Sequence, residues 1–318
     1  MAGFASNQGN DSNLIRANLW SNELKEVLLD ELFATNYIHW IQDFPDGNTI
    51  NIPSIGQAEV LDYLEGQAVR YQAMDTGNFT FTVNKYKESA TYITEKMKQD
   101  SFYMSQLVAS FVPKQHRAIM KAMEVDCLAT GPTSQTLSNL NQINGANHRF
   151  VASGTNQVVL VNDFARARLS LAKANVPMVN LIAIVDPTVG YALDTVTNIA
   201  QIAYNPMWEG IVTSGMSTGL KFIRNIYGFD TYVSMNLTQQ GAETINSIAC
   251  NSSAVSNVLF SAAPDVLPFV GLVRQPPKVD SEYNKDLQRE EYVTTCRYGF
   301  KLYRPENLVT IVSATDQV

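Results

Sequence analysis

The chain has 318 residues, 45% hydrophobic and 17% charged, enough apolar material for a substantial core and too much for global disorder. A formal net charge of −7 and a pI near 5.0 argue against a protein that grips nucleic acid by its phosphates, which takes a basic face. Cys127, Cys250 and Cys296 show neither zinc spacing nor a disulfide framework, and no run approaches the ~18 apolar residues of a membrane helix.

Residues 1–20, opening MAGFASNQGNDSN, are polar, lack a signal-peptide pattern and read as a flexible arm. Ser21 or Asn22 caps a short helix with Leu24, Val27, Leu28 and Leu32 on one face. Phe44-Pro45-Asp46-Gly47 makes a turn, and Gly47–Tyr92 reads as two long strands joined by a wide tip, about 64–77. Ile50 and Ile52 alternate with Thr49 and Asn51; Phe79, Phe81 and Val83 alternate with Thr80, Thr82 and Asn84. Period-2 alternation sends one face toward burial and the other toward water. Pro53 favours an edge or bulged strand. A lone two-stranded hairpin is marginal in water. Nothing beside this one in sequence reads as its cover, so it is expected to lie on another molecule.

From Thr91 the period turns helical, with a short helix over Phe102, Leu107, Val108 and Phe111. Pro113 starts a second helix, with Ile119, Ala122, Met123 and Cys127 inward, and Gly131-Pro132 ends it. Residues 131–157 read as a loop. Asn162 or Asp163 caps a helix carrying Phe164, Ala167, Leu171 and Ala174, closed by Asn175 and Pro177. Leu181–Val185 is a buried strand, Asp186-Pro187 a turn, and a helix follows to about Asn198. Residues 203–221 are glycine-rich and irregular, and Gly228 precedes a strand over Phe229–Met235. Residues 238–270 carry no clear period. Strands follow at Tyr292–Cys296, Gly299–Tyr303 and, after a turn at Arg304-Pro305, Leu308–Val312.

Four segments, in order, resemble one family. Gly47-Asn48-Thr49-Ile50-Asn51-Ile52-Pro53-Ser54-Ile55-Gly56 resembles the rising arm of the extended loop of tailed-phage major capsid proteins. Leu169–Leu193, with Lys173-Ala174-Asn175-Val176-Pro177 and Ile184-Val185-Asp186-Pro187, resembles their axial domain, and Ile226–Ser234 is similar to a further axial strand. Tyr298–Val309 resembles their closing peripheral strands. The resemblance, to the Hong Kong 97 capsid fold, implies an α+β architecture in five segments. These are an N-terminal arm (1–42), an extended β-hairpin loop (43–84), a first peripheral segment with a spine helix near Pro113–Ala129 (85–149), an axial domain (150–273) and closing peripheral strands (274–318). It implies a non-enzymatic shell subunit, without cofactor, that assembles with itself into hexamers and pentamers of an icosahedral head. Such a head encloses double-stranded DNA through weak, non-specific contact, has portal, scaffold and cement proteins as further partners, involves no membrane, and is assembled in the host cytoplasm. Some members cross-link through a lysine in the extended loop. Here no lysine lies between Lys25 and Lys85, which argues against that route. Two other readings are an encapsulin-like shell enclosing a cargo enzyme and a soluble hydrolase with an unrecognised site.

Motifs for catalysis are sparse. His39, His116 and His148 form no H-x-x-x-H or H-E-x-x-H pattern, and Gly210–Gly219 lacks the Gly-Lys-Ser/Thr ending of a phosphate loop. Charge is more informative. Residues 43–84 hold six acids, among them Glu59, Asp62, Glu65 and Asp75, against Arg70 alone, a net of −5. Residues 85–121 hold seven bases, among them Lys96, Lys98, Lys114 and Arg117, against three acids, a net of +4. Either both are ordinary solvated faces, or the acidic loop of one subunit docks on the basic spine of the next.

Overall fold

A computed structural model describes residues 32, 34–42, 47–56, 60–62, 65–66, 68, 71, 76–100, 104–135, 141–195 and 222–315, all within the unit Glu31–Val318. The expected N-terminal arm, most of the helix after Ser21 and the glycine-rich 203–221 stretch lie outside these residues.

In chain order, β1 (Ile38–Trp40) precedes the hairpin of β2 (Thr49–Ile55) and β3 (Thr76–Thr82). β4 (Lys85–Thr94) runs into α1 (Glu95–Asp100), and α2 (Met104–Gln135) follows. The short β5 (Gln142–Ile143) and β6 (Ala146–Asn147) lead to β7 (Arg149–Val151), α3 (Val161–Lys173), β8 (Leu181–Val185) and α4 (Pro187–Thr195). β9 (Phe222–Ile226) and β10 (Phe229–Val233) make one hairpin, β11 (Thr244–Ile245) and β12 (Ile248–Ala249) a smaller one. β13 (Val255–Ser261), β14 (Phe269–Asn284), β15 (Arg289–Leu302) and β16 (Val309–Ser313) complete the chain.

Two sheets share α2. The larger has the order β7-β16-β13-β8-β10-β9 and mixes parallel with antiparallel pairs. On one face Phe164, Ala167 and Leu171 of α3 pack against Ala183, Val185, Phe229, Leu259 and Ile311. On the other, Ile182, Ile184, Val258 and Phe260 meet Cys127 and Leu128 of α2 together with Phe269 and Leu308. β8 is therefore buried on both faces, which is why its sequence is an unbroken apolar run. The smaller sheet, β1-β14-β15-β4, packs Cys296 and Tyr298 against Ile119 and Met123 of α2. Tyr227 and Gly228, both at positive φ, turn β9 into β10 as a two-residue hairpin loop requires.

Four expectations are corrected. The expected break at Pro113 is absent: one helix runs from Met104 to Gln135 with Pro113 and Pro132 inside it. An interior proline costs about 3 kcal/mol, and the burial of Ile119, Met123, Cys127 and Leu128 along the same helix outweighs it. Gly131 does not end the helix because it fills a tight seat: a Cβ there would stand 2.6 Å from Leu308. Secondly, the return arm expected to run to Tyr92 is two strands: β3 pairs with β2, while β4 pairs with β15 in the smaller sheet and continues to Thr94, past the Thr91 where a helical period is expected. Of the inward residues Lys87, Ser89, Thr91 and Ile93 of β4 only the last is apolar, so hydrophobic alternation does not mark where β4 takes over from β3. Two of them meet α2, where Gln115 donates to Thr91 at 2.9 Å and Asp126 faces Lys87 at 3.5 Å. Thirdly, Tyr292–Cys296 and Gly299–Tyr303 are one strand, β15, paired with β14, which has no forecast. Pro276-Pro277 conceals β14; the register shifts between Val273 and Lys278, so the ladder steps past the residues that lack an N–H. Finally, Leu308–Val312, expected among the closing strands together with Gly299–Tyr303, enters the larger sheet between β7 and β13 as β16 (Val309–Ser313), with all five of its residues buried.

Candidate intersubunit surface

The expected hairpin forms in the register its alternation predicts. Ile50 faces Phe81 and Ile52 faces Phe79 on one side, while Thr49 faces Thr82 and Asn51 faces Thr80 on the other. Its base is covered within the chain, contrary to the expectation that it has no cover of its own. Phe81 and Val83 are buried against Val270 and Leu272. Phe79 meets Tyr303 edge-on at 5.1 Å, and Lys301 lies 4.5 Å over the Phe79 ring while its Nζ donates to the Thr80 carbonyl at 2.5 Å. Gly299 permits this approach: a Cβ there would stand 3.1 Å from the Thr82 oxygen and the Val83 Cα.

The tip differs from the base. Val60 is 95% exposed and Tyr71 93%, and Asp62 and Glu65 are exposed beside them. Glu59, Arg70 and Asp75 lie outside the described residues. Val60 and Tyr71 are thus left almost wholly in water within this chain.

Of the expected basic partners, Lys96 is exposed on α1, and Lys114 and Arg117 are half-buried on α2. Lys98 is already engaged: it pairs closely with Glu290 and lies 3.8 Å from Glu95. The hydrogen bond with Glu290 raises the Lys98 pKa, and the same bond holds the Glu290 carboxyl below the ordinary range. Lys85 and Lys87 converge on Asp126 at 3.6 and 3.5 Å, and Tyr298 donates its hydroxyl to that carboxylate at 2.7 Å. Asp126 lies five residues beyond the basic stretch, so counting charges along the sequence misses the neutralisation. Among the described residues, no ion pair joins Asp62 or Glu65 to Lys96, Lys98, Lys114 or Arg117 within the chain.

Residues weighed for chemistry fall on separate elements. His39 on β1 and His116 on α2 are exposed. His148 is buried beside β7 with Nδ1 3.2 Å from the Ala146 carbonyl, and burial lowers its pKa. Asp186 caps α4, accepting from the Thr188 N–H at 3.0 Å, with Pro187 at the first helical position. The three cysteines are free and buried.

One buried clasp has no forecast in the sequence. Arg149, with no side-chain surface in water, donates twice to Glu243 at 2.9 and 2.5 Å, and Gln240 donates to the same carboxylate at 3.0 Å. Arg149 holds the Glu243 carboxyl below its ordinary pKa. The clasp ties the β11–β12 hairpin to the larger sheet, beside the small core of Val151, Ile245, Cys250, Ala254 and Val312. A separation of 94 residues leaves no local signal for it.

No family model and no curated protein sequence matches the chain. Solved structures match over nearly its whole length. A chain of Mycobacterium phage Che8 shares 17% identity at a TM-score of 0.64, covering 94% of this chain and 97% of that one. The capsid of cyanophage P-SCSP1u aligns at a TM-score of 0.69 with 14% identity, covering 99% of this chain and 98% of its own. The capsid of cyanophage Pam1 aligns at 0.66 with 13% identity over 100% of both. At such identities the likeness establishes the fold, and the fold is the expected one: the chain has the α+β fold of phage capsid chains.

Proposed function

We propose that the chain is the major capsid protein of a tailed bacteriophage, a structural subunit that assembles with copies of itself into a closed shell. The observation that carries this is end-to-end likeness to phage capsid chains, together with an arm whose base is anchored and whose tip is left in water. In this reading the subunits form hexamers and pentamers of an icosahedral head in the host cytoplasm. The segmentation into arm, extended loop, axial and peripheral parts applies, with β16 contributing to the axial sheet. Assembly comes first from buried apolar surface, because exposed ion pairs contribute only about 0–1 kcal/mol each. Opposite charge on the tip and on the Lys96, Lys114 and Arg117 stretch steers encounter and fixes register.

The role is structural rather than catalytic, and the cargo is double-stranded DNA held weakly and without sequence reading. Portal, scaffold and cement proteins are the further partners. The chain's net charge of −7 suits an inner wall over which packaged DNA stays mobile. Purifying particles from cells expressing the chain and measuring their contents tests the reading. Shells that package DNA when supplied with the packaging machinery support it. Shells that retain a specific protein cargo and exclude DNA point to a nanocompartment instead. A tight, sequence-selective complex between the free subunit and DNA contradicts the non-specific part.

A further inference from the structure

β5 and β6 close around a two-residue turn, Asn144-Gly145, next to the paired Ile143 and Ala146. It is the only Asn-Gly pair in the chain. Both residues are exposed and stand at positive φ, 49° and 73°, as a two-residue hairpin loop requires. The hairpin leans on the end of α3. Asn144 donates its side-chain amide to the Lys173 carbonyl at 2.9 Å, and Ser170 donates its hydroxyl to the Asn147 carbonyl at 2.8 Å. Carbonyls in the last turn of a helix lack an intrahelical donor, so Asn144 supplies one from outside.

The same pair can close a ring. The Gly145 nitrogen is separated from Asn144 Cγ by the covalent spacing of a five-membered imide. Glycine offers that nitrogen without a Cβ to crowd it, and nothing lies within 4 Å of the place a Cβ would take. Both turn residues also lie outside the ladder of Gln142 with Asn147 and Ile143 with Ala146. The molecule carries its own comparison. β11 and β12 close around Asn246-Ser247, exposed and at φ 49° and 64°, where the second residue does bring a Cβ.

We propose that Asn144 is a site of spontaneous deamidation and that the change releases the β5–β6 hairpin from α3. The Gly145 nitrogen bonds to Asn144 Cγ, the Cγ–Nδ2 bond breaks, and the proton lost by Gly145 leaves with the amide as ammonia. Water then opens the imide at either carbonyl, giving aspartate or isoaspartate. In both products the amide donor to Lys173 is gone, and a carboxylate stands at the negative end of a helix. Isoaspartate also routes the main chain through Cβ and Cγ, a lengthening that a two-residue turn does not fit. The bond to Lys173 must open before the ring closes, so folding slows the step. Neither step uses a reactant other than water, and neither depends on the shell-subunit reading.

Holding the folded chain at mildly alkaline pH, with a urea-unfolded sample alongside, tests the site. Peptide mass spectrometry and enzymatic methylation of isoaspartate follow positions 144 and 246. The expected result in the folded chain is methyl-accepting isoaspartate at 144, slower than in urea, with far less at 246. Amide exchange at His148, Ala174, Asn175 and Val176, whose N–H groups bond to Asn141, Ser170, Ala172 and Leu171, should quicken as conversion proceeds. No conversion at 144 in the folded chain by the time the unfolded chain is fully converted overturns the site, and so does equal conversion at 144 and 246. Asn144→Gln keeps an amide donor but would have to close a larger ring; it should stay unmodified. Asn144→Asp carries the loss from the start and should show the quickened exchange before any incubation. Exchange in Asn144→Asp as slow as in the unaltered chain overturns the release.

Discussion

Arg149 has no side-chain surface in water, so its charge depends wholly on its partners. Removing one member of a buried, hydrogen-bonded pair costs ~3–5 kcal/mol because the other charge is stranded. Glu243 keeps 24% of its side chain exposed, which places Glu243→Ala near the lower end, at about 3 kcal/mol of unfolding free energy by denaturant titration. The pH dependence follows from direction. The folded pKa of Glu243 is depressed by Arg149, so its contribution is full above the ordinary carboxylate range and is lost as the pH falls through the folded value. His148 is depressed by burial, so the unfolded chain takes its proton first and stability begins to decline below the ordinary value of 6.5. Melting temperatures should therefore drop in two stages on acidification. His148→Asn should remove the upper stage and Glu243→Gln the lower; a profile unchanged by both variants contradicts the assignment. Gly299 leaves no room for a side chain. An added methyl meets the backbone of Thr82 and Val83 at 3.1 Å, and overpacking of this kind costs about 1–3 kcal/mol. Gly299→Ala should lower the melting temperature and deprotect the Val83 amide, which donates to Asn48 at 2.8 Å.

Among the elements, the β2–β3 hairpin divides into an anchored base and a free end. In isolated subunits, amide exchange should be slow at Phe81 and Val83 and fast along Asn51–Ile55 and Thr76–Phe79; in assembled shells the whole hairpin should be slow. Equal protection in both states contradicts a docked loop. Charge bears on the same element. Asp62→Lys with Glu65→Lys should lower shell yield while leaving circular dichroism unchanged, and Lys114→Glu with Arg117→Glu should restore part of it. Normal assembly of the reversed loop at low salt, where surface fields are least screened, would leave shape and apolar burial alone to hold the tip. The hairpin was legible in the sequence because its faces differ in polarity, and β8 because both its faces are buried. β4 was legible only as a continuation of the hairpin arm, because its inward side carries lysine, serine and threonine, of which Lys87 and Thr91 meet Asp126 and Gln115 of α2. β14 was hidden by Pro276-Pro277, and the length of α2 by Pro113, local rules that tertiary packing overrides. The charge contrast between loop and spine was readable. Its partial cancellation was not, since Asp126 and Glu290 reach the basic stretch from elsewhere in the chain.

In the molecule as a whole, α2 is the shared wall of two sheets, with Ile119 and Met123 on one and Cys127 and Leu128 on the other. β16 returns to the larger sheet after β15 has finished the smaller, so the sheets are interleaved in sequence and should unfold together. This body anchors the hairpin base through Phe81 and Val83 on Val270 and Leu272, and closed assembly from identical subunits repeats one such surface about a symmetry axis. Self-assembly into a shell is therefore the property to measure, and electron microscopy of the purified, unaltered chain tests it most directly. Closed shells of uniform diameter with icosahedral symmetry are the predicted result. A monodisperse monomer or small ring under every condition that keeps the chain folded, with the tip as rapidly exchanging as in dilute solution, would contradict it.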